Sequence, residues 1–196
     1  MFWIRPLLLC FCVLTSYQVN AAVVSDVDVA EQITVSPSET KLHLNGAALR
    51  KMYFLVDVYV GGLYLEETSQ DPDIIIASNT YKRMMFHVLL KRVSARRIAN
   101  ALNEALIINL TKDEHESLKP TIDRFLSLFD NRRFHKGDEA ILDYLPGKGT
   151  LVRIPGREDT LLEGKAFYDA LLKVWIGLQP VSNDFKAQIL GFLDED

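Results

Sequence analysis

The sequence predicts an α+β domain in which an antiparallel sheet carries helices layered on one side. Segments that favour strands fill the first half of the chain, and amphipathic helical segments cluster after them, which is the order expected of this class. The segment 82–92 alternates between apolar side chains on one face and mixed side chains on the other, as a strand with one core face does. A Pro-Gly-Lys-Gly turn between two short runs, 140–144 and 150–154, predicts a hairpin.

The first half of the chain contains strand candidates and one short helix. Residues 53–66 are rich in β-branched and aromatic side chains, so we predict one long strand there. Gly61 and Gly62 within it mark a bulge or a close approach of another backbone. A turn around Pro37 and Ser38 joins two shorter strands. The predicted strands are 33–36, 41–45, 53–66 and 82–92, and the predicted helix is 72–77.

Three amphipathic helices and a short final helix are predicted in the second half. Ser94 caps the first, Ser117 begins the second, and Ser182 caps the last. The third runs over 165–176 and ends at Gly177. Apolar side chains at helical spacing predict the buried faces of the three longer helices. These side chains are Ile98, Leu102, Ala105 and Ile108, then Leu118, Ile122, Phe125, Leu126 and Phe129, then Phe167, Leu171, Val174 and Trp175.

The N-terminus has the features of a secretory signal peptide. Arg5 precedes an apolar core at 6–15, and a small-residue end follows at Ala21. We therefore predict a signal peptide over 1–21 and a single exported, periplasmic domain over 22–196. Both cysteines lie within the predicted signal peptide, so the mature chain is expected to form no disulfide. No later apolar run is long enough to span a membrane, and no stable membrane insertion is expected after processing.

Charge and histidine spacing narrow the classes of function. A formal net charge of -4 without a block of basic residues argues against nucleic acid as a partner. The four histidines lack the mutual spacing of metal ligands, and the Gly-Lys-Gly-Thr stretch lacks the earlier glycine of a phosphate loop. We therefore expect no metal and no cofactor.

Arg50 is the most informative charged residue, because the Arg50-Lys51 pair stands between apolar residues on both sides and a predicted strand begins three residues after Arg50. An unpaired guanidinium costs several kcal/mol when buried, so it requires a partner or a path to solvent. One interpretation is a structural arginine that pairs with Asp57 or extends to solvent. The other is an arginine presented to a cleft, where its planar fork binds a carboxylate or phenolate. Tyr59 would then flank the bound group.

Two stretches of the chain carry a family resemblance. The first is the end of the predicted long strand, Gly62-Leu63-Tyr64-Leu65, with Arg50 before it. The second is the end of the third long helix and the turn after it, with Ile176, Gly177, Val181, Ser182, Asp184, Phe185 and Lys186 as the matching residues. Together they resemble the chalcone isomerase superfamily, specifically its bacterial chalcone-isomerase-like branch, over about residues 33–193. The resemblance implies an open-faced β-sandwich with helices over the sheet.

The resemblance also implies roles for individual residues. In ring-closing members, the arginine that matches Arg50 stabilises the phenolate of a chalcone. Tyr59 stands where those enzymes carry a strand threonine, and Val174 where they carry a substrate-contacting Ser or Thr. Their helix tyrosine and asparagine correspond here to Arg96 and Asn103. Most of the catalytic polar set is therefore missing, and the predicted ligand-binding residues are Arg50, Tyr59, Asn103 and Val174.

Three functions follow from this pattern. Similarity to the non-catalytic branch, whose plant members bind fatty acids through the arginine, favours an exported binding protein for a small amphipathic or acidic lipid-like ligand in an apolar cleft. The alternative is a chalcone-isomerase-type isomerase, an intramolecular lyase, that acts on an unknown substrate through Arg50, Tyr59 and Asn103. A third possibility is an interaction module without a ligand, in which Arg50 is structural.

Overall fold

A seven-stranded antiparallel sheet forms the centre of the fold in the computed structural model, which describes residues 21–36, 38–53 and 55–192. In chain order the strands are β1 (Ala21–Val24), β2 (Val27–Ala30), β3 (Gln32–Val35), β4 (Thr40–Met52), β5 (Val56–Leu65), β6 (Lys82–Val88), β7 (Arg92–Ser94), β8 (Arg133–His135), β9 (Glu139–Leu145), β10 (Gly149–Arg153) and β11 (Thr160–Glu163). The order in the main sheet is β11-β10-β9-β6-β5-β4-β3. The predicted signal peptide, apart from Ala21, and Pro37 of the predicted turn lie outside the described residues.

Five helices pack on one face of this sheet in the described part of the chain. They are α1 (Pro72–Ala77), α2 (Ala95–Asn109), α3 (Lys112–Ser127), α4 (Lys165–Ile176) and α5 (Asn183–Ile189). The main core lies between the two layers, and α4 is buried on most of its circumference because it lies between the sheet and the other helices. The predicted α+β architecture, an antiparallel sheet with helices on one side, is confirmed.

The opposite face of the sheet has a smaller apolar cluster, which the β1–β2 hairpin covers in part. Val27 and Val29 of this hairpin pack with Leu42, Val60 and Tyr64 of the sheet. These two strands were not predicted from the sequence. In a second small pair, β7 follows the end of β6 and β8 precedes the start of β9, and the two strands contribute to the main core.

The prediction of one long strand over 53–66 was wrong at its beginning. The chain pairs β4 with β5 as a hairpin, and Tyr53 lies in the turn with a positive φ of 52°. β4 also extends to Met52 rather than ending at residue 45, so Arg50 lies inside a strand instead of before one. The error has a physical cause, because the apolar run continues through the turn without a Gly, Pro or Asn to mark it.

Of the other predicted boundaries of helices and strands, some are confirmed and some are corrected. Helix α1, helix α4 with its end at Gly177, the Ser182 cap and the β9–β10 hairpin are confirmed. The strand predicted over 82–92 ends at Val88, where the chain bends into β7. Helix α3 begins at Lys112 rather than at Ser117. A capping box between Thr111 and Glu114 fixes that start and was the available sequence signal.

Two residues predicted on the buried faces of the helices differ from the prediction, one in its burial and one in its position relative to the helix. Ile108 is exposed, and Leu106 occupies the buried position at the end of α2. Phe129 is buried as predicted, but it lies beyond the last residue of α3.

Candidate functional site

Arg50 and Tyr59 lie directly opposite each other on β4 and β5. Side chains of opposed residues in an antiparallel pair lie on the same face of the sheet. Tyr59 packs against the main core, and so does Ala48, two residues before Arg50 on the same strand. Arg50 therefore lies on the face that carries the helices, at the end of β4 near the turn.

No carboxylate of the described residues lies within ion-pair distance of the Arg50 guanidinium. Its Nη1 donates a hydrogen bond to the backbone carbonyl of Lys51. Asp57, the partner that the sequence analysis considered, is exposed and is paired in register with Lys51. The positive charge of Arg50 is therefore not neutralised within the described part of the chain.

The hydroxyl of Tyr59 accepts a hydrogen bond of 3.1 Å from the indole Nε1 of Trp175 on α4. The Tyr59 ring meets Phe86 of β6 and Phe185 of α5 edge-on, with centroids 5.3 and 5.7 Å away, and Phe86 lies 4.9 Å from Trp175. We call Tyr59, Phe86, Trp175 and Phe185 the aromatic cluster. Rings in this geometry attract one another beyond the area that they bury. The cluster fills the space between the sheet and helices α4 and α5 next to Arg50.

Tyr59 keeps its proton at neutral pH. Burial raises the pKa of Tyr59 to about 12, against the opposing effects of the Trp175 hydrogen bond and the Arg50 charge. The hydroxyl proton has no acceptor within hydrogen-bond distance among the residues that the structure describes. Tyr59 and Arg50 therefore form a pair of hydrogen-bond donors, one neutral and one charged.

Small residues on the two strands allow α5 to approach the sheet closely. A Cβ at Gly46 would lie 2.6 Å from the carbonyl oxygen of Ile189, and a Cβ at Gly61 would lie 2.6 Å from the Phe185 ring. The side chain of Ser182 caps α5 by accepting from the backbone N–H of Phe185. The position of the Phe185 ring in the aromatic cluster thus depends on the α5 cap and on the absence of a side chain at Gly61.

The four predicted ligand-binding residues do not form one group. Arg50 and Tyr59 are adjacent, whereas the Val174 side chain is buried in the main core and offers no polar atom. Asn103 lines a shallow surface depression between α2 and α3. The other residues that line this depression are Arg96, Ala99, Asn100, Asp123, Leu126, Ser127 and Asp130.

Trp175 belongs to this site, although its sequence pattern predicted only a place in the core. Its position on the buried face of α4 was predictable from helical spacing. Its contact with Tyr59 was not, because that contact depends on how α4 is placed over β5. Among the described residues, no group of His, Cys, Asp or Glu side chains is arranged to hold a metal ion.

Comparisons with known proteins agree with this architecture. The chalcone isomerase-like family matches residues 21–191, and the chain belongs to this family. Among solved structures, a fatty-acid binding protein of Arabidopsis thaliana aligns with a TM-score of 0.63 at 16% sequence identity, over 82% of this chain and 96% of that chain. At this identity the likeness shows the fold alone. No curated protein matches the sequence.

Proposed function

We propose that the protein is an exported, non-catalytic binding protein for a small amphipathic acid of the fatty-acid type, whose carboxylate pairs with Arg50. One observation carries the proposal. The guanidinium of Arg50 has no carboxylate partner in the described part of the chain, and it lies beside a neutral tyrosine hydroxyl with an unused proton. A carboxylate is the group that this pair of donors suits best.

The contact between a ligand carboxylate and Arg50 would be strong enough for Arg50 to select carboxylic acids. A charge-assisted hydrogen bond contributes about 1.5–3 kcal/mol when its surroundings exclude water. A second bond from Tyr59 would orient the carboxylate relative to the sheet. No carboxylate of the described residues pairs with Arg50, so a ligand would not have to displace any of those carboxylates.

The acyl chain would lie between the sheet and the helices, where the aromatic cluster now closes the space. Entry of an acyl chain therefore requires at least one ring of the aromatic cluster to move. We expect the Phe185 ring to move, because it lies on the short helix α5. The fold likeness to a protein described as a fatty-acid binding protein supports this class of ligand.

The proposal of export depends on the N-terminal sequence. Arg5, the apolar core and the small residues at its end have the order of a cleaved signal peptide. In the part of the chain that the structure describes, no helix is both long enough and apolar enough to cross a membrane.

Mass spectrometry of the small molecules that co-purify with the protein tests the proposed function. Wild type and Arg50→Ala should be expressed and purified in parallel, and their thermal unfolding compared to establish that both are folded. We expect monocarboxylic acids with apolar chains in the wild type and a loss of most of this material in the variant. Equal amounts of the same acids in both proteins, or neutral molecules only, would contradict the role of Arg50.

A further inference from the structure

The turn between β4 and β5 exposes a group of apolar side chains. The exposed fraction is 82% for Tyr53 and 87% for Leu55, and it is 43% for Met52 and 39% for Val56. We call these four residues the hairpin tip. Single exposed apolar residues are ordinary, but four within five consecutive positions form a contiguous patch of the kind that marks an interaction surface.

Cationic residues precede the hairpin tip on β4 and follow the end of the strand that pairs with β5. Arg50 and Lys51 precede it on β4, and the exposed Lys91 and Arg92 follow the end of β6, the strand paired with β5. Asp57 is the one acidic residue within residues 50–57 and 91–92, against four cations. These ten residues therefore carry a formal charge of +3 (four cations less one carboxylate), whereas the chain as a whole carries -4.

We propose that the hairpin tip docks into the interfacial region of an anionic phospholipid membrane. Three features favour a lipid surface. The apolar side chains project from a turn rather than line a groove, they include a tyrosine, which favours the headgroup level, and cations stand beside them where anionic headgroups would lie. Four apolar side chains can insert only a short distance into a bilayer. Binding to the membrane is therefore reversible and depends on the negative charge of the lipid headgroups.

This docking goes beyond the proposed ligand site and complements it. Arg50 is three residues from Tyr53, so a docked tip would hold the end of β4, with Arg50, next to the bilayer surface. Acyl chains would then reach the site without crossing water. The two proposals remain separable, because the hairpin tip does not include Tyr59 or Trp175.

Co-sedimentation with lipid vesicles tests this proposal. The purified protein, with the predicted signal peptide removed, should be mixed with vesicles of equal parts phosphatidylglycerol and phosphatidylcholine, and separately with vesicles of phosphatidylcholine alone. We expect binding to the anionic vesicles, at least tenfold weaker binding to the neutral ones, and a loss of binding as the salt concentration rises. The double variant Tyr53→Ser/Leu55→Ser should bind the anionic vesicles at least tenfold more weakly than wild type.

Ile74→Ser supplies the matched control. Ile74 is 60% exposed and lies on α1, at the end of the sheet where β6 begins, away from the hairpin tip. This variant should bind vesicles as wild type does, and Lys51→Ala should bind the anionic ones more weakly. Equal vesicle binding by wild type and the double variant, or no binding to anionic vesicles, would overturn the proposal. So would a dimer in light scattering that the double variant abolishes, because the tip would then be an interface between two copies.

The ligand assay distinguishes failure of this proposal from failure of the proposed function. The double variant should bind a soluble short-chain fatty acid as tightly as wild type, since none of its changes touches Arg50 or the aromatic cluster. Loss of vesicle binding with retained fatty-acid binding supports both proposals. Suppose instead that the double variant unfolds at the wild-type temperature but binds neither vesicles nor the fatty acid. That result would contradict a role of the hairpin tip that is separate from the ligand site.

Discussion

Trp175 of α4 donates its indole N–H to the hydroxyl of Tyr59 on β5, over 3.1 Å. This bond joins the helix layer to the strand that lies opposite Arg50. It also fixes the Tyr59 hydroxyl close enough to Arg50 for the guanidinium charge to affect its pKa. The position of the Tyr59 hydroxyl, one of the two proposed donors to a ligand carboxylate, therefore depends on a contact between α4 and the sheet.

Replacement of Tyr59 by phenylalanine should destabilise the fold. The indole N–H of Trp175 is buried and would lose its acceptor, which costs about 1–3 kcal/mol. Urea unfolding of Tyr59→Phe, Trp175→Phe and the double variant measures the coupling. We expect the double variant to lose less stability than the sum of the single losses, because each single change removes the same bond. Simple additivity would show that the contact contributes nothing to stability.

Binding of a fatty acid should change the fluorescence of Trp175. The chain has two tryptophans, and Trp3 lies in the predicted signal peptide, so the processed protein carries Trp175 as its single reporter. Because Trp175 contacts Phe86 and Tyr59, movement of any ring of the aromatic cluster alters its surroundings. Titration with a soluble fatty acid should therefore produce a saturable change in emission. An unchanged spectrum at saturation, with binding confirmed by calorimetry, would place the ligand elsewhere.

Asp143 should be among the most sensitive positions on the other face of the sheet. Its carboxylate is fully buried and accepts bonds of 2.6 and 2.9 Å from Arg83, and it also pairs with Arg153. Asp143→Asn leaves two guanidinium groups without this charge and should cost about 3–5 kcal/mol in the free energy of unfolding. The surface change Asp123→Asn, which breaks an exposed pair, should cost about 0–1 kcal/mol. Similar losses at both positions in urea unfolding would contradict this account.

Stability should vary with pH in the alkaline range. Burial, together with the nearby charge of Lys165, lowers the pKa of Lys82 to about 8 from 10.5, so the unfolded chain binds more protons between these values. The free energy of unfolding should therefore rise with pH over that window. Burial raises the pKa of Tyr59 and Tyr64 to about 12 from 10.0, so the folded chain binds more protons above pH 10 and stability should fall there.

Lys82→Met isolates the contribution of the lysine. This variant should lose the rise in stability between pH 8 and 10 but keep the fall above pH 10. Urea unfolding at intervals of half a pH unit provides the comparison. A rise of the same size in wild type and variant would assign the effect to another group.

Most of the fold could be predicted from the sequence, because local sequence signals agree with the tertiary structure in most places. Alternation along β6 identified its core face, and Gly177 and Ser182 bounded α4 and α5. The β4–β5 turn was missed because Met52, Tyr53, Leu55 and Val56 continue an apolar pattern where a turn usually has polar residues or glycine. Those same side chains form the exposed hairpin tip.

The candidate site was predictable only in part. Arg50 was identified because it and Lys51 are charged residues within an otherwise apolar stretch. Its position opposite Tyr59 follows from a hairpin register that the local pattern does not reveal. Trp175 reaches Tyr59 through the placement of α4 over β5, which is a property of the packed layers. The family resemblance predicted Val174 as a ligand-binding residue, but its side chain lies in the main core. The next residue, Trp175, is the one that contacts Tyr59 on β5.

The central claim is that Arg50 binds the carboxylate of a fatty-acid-like ligand, and a displacement titration on wild type, Arg50→Ala and Arg50→Lys tests it most directly. We expect Arg50→Ala to bind a soluble fatty acid about 10- to 150-fold more weakly, the equivalent of about 1.5–3 kcal/mol. Arg50→Lys should restore little of this affinity, because lysine keeps the charge but lacks the bidentate fork. The corresponding fatty alcohol should bind all three proteins with similar, weak affinity. Equal fatty-acid affinity in the three folded proteins would contradict the claim and leave Arg50 as a structural residue.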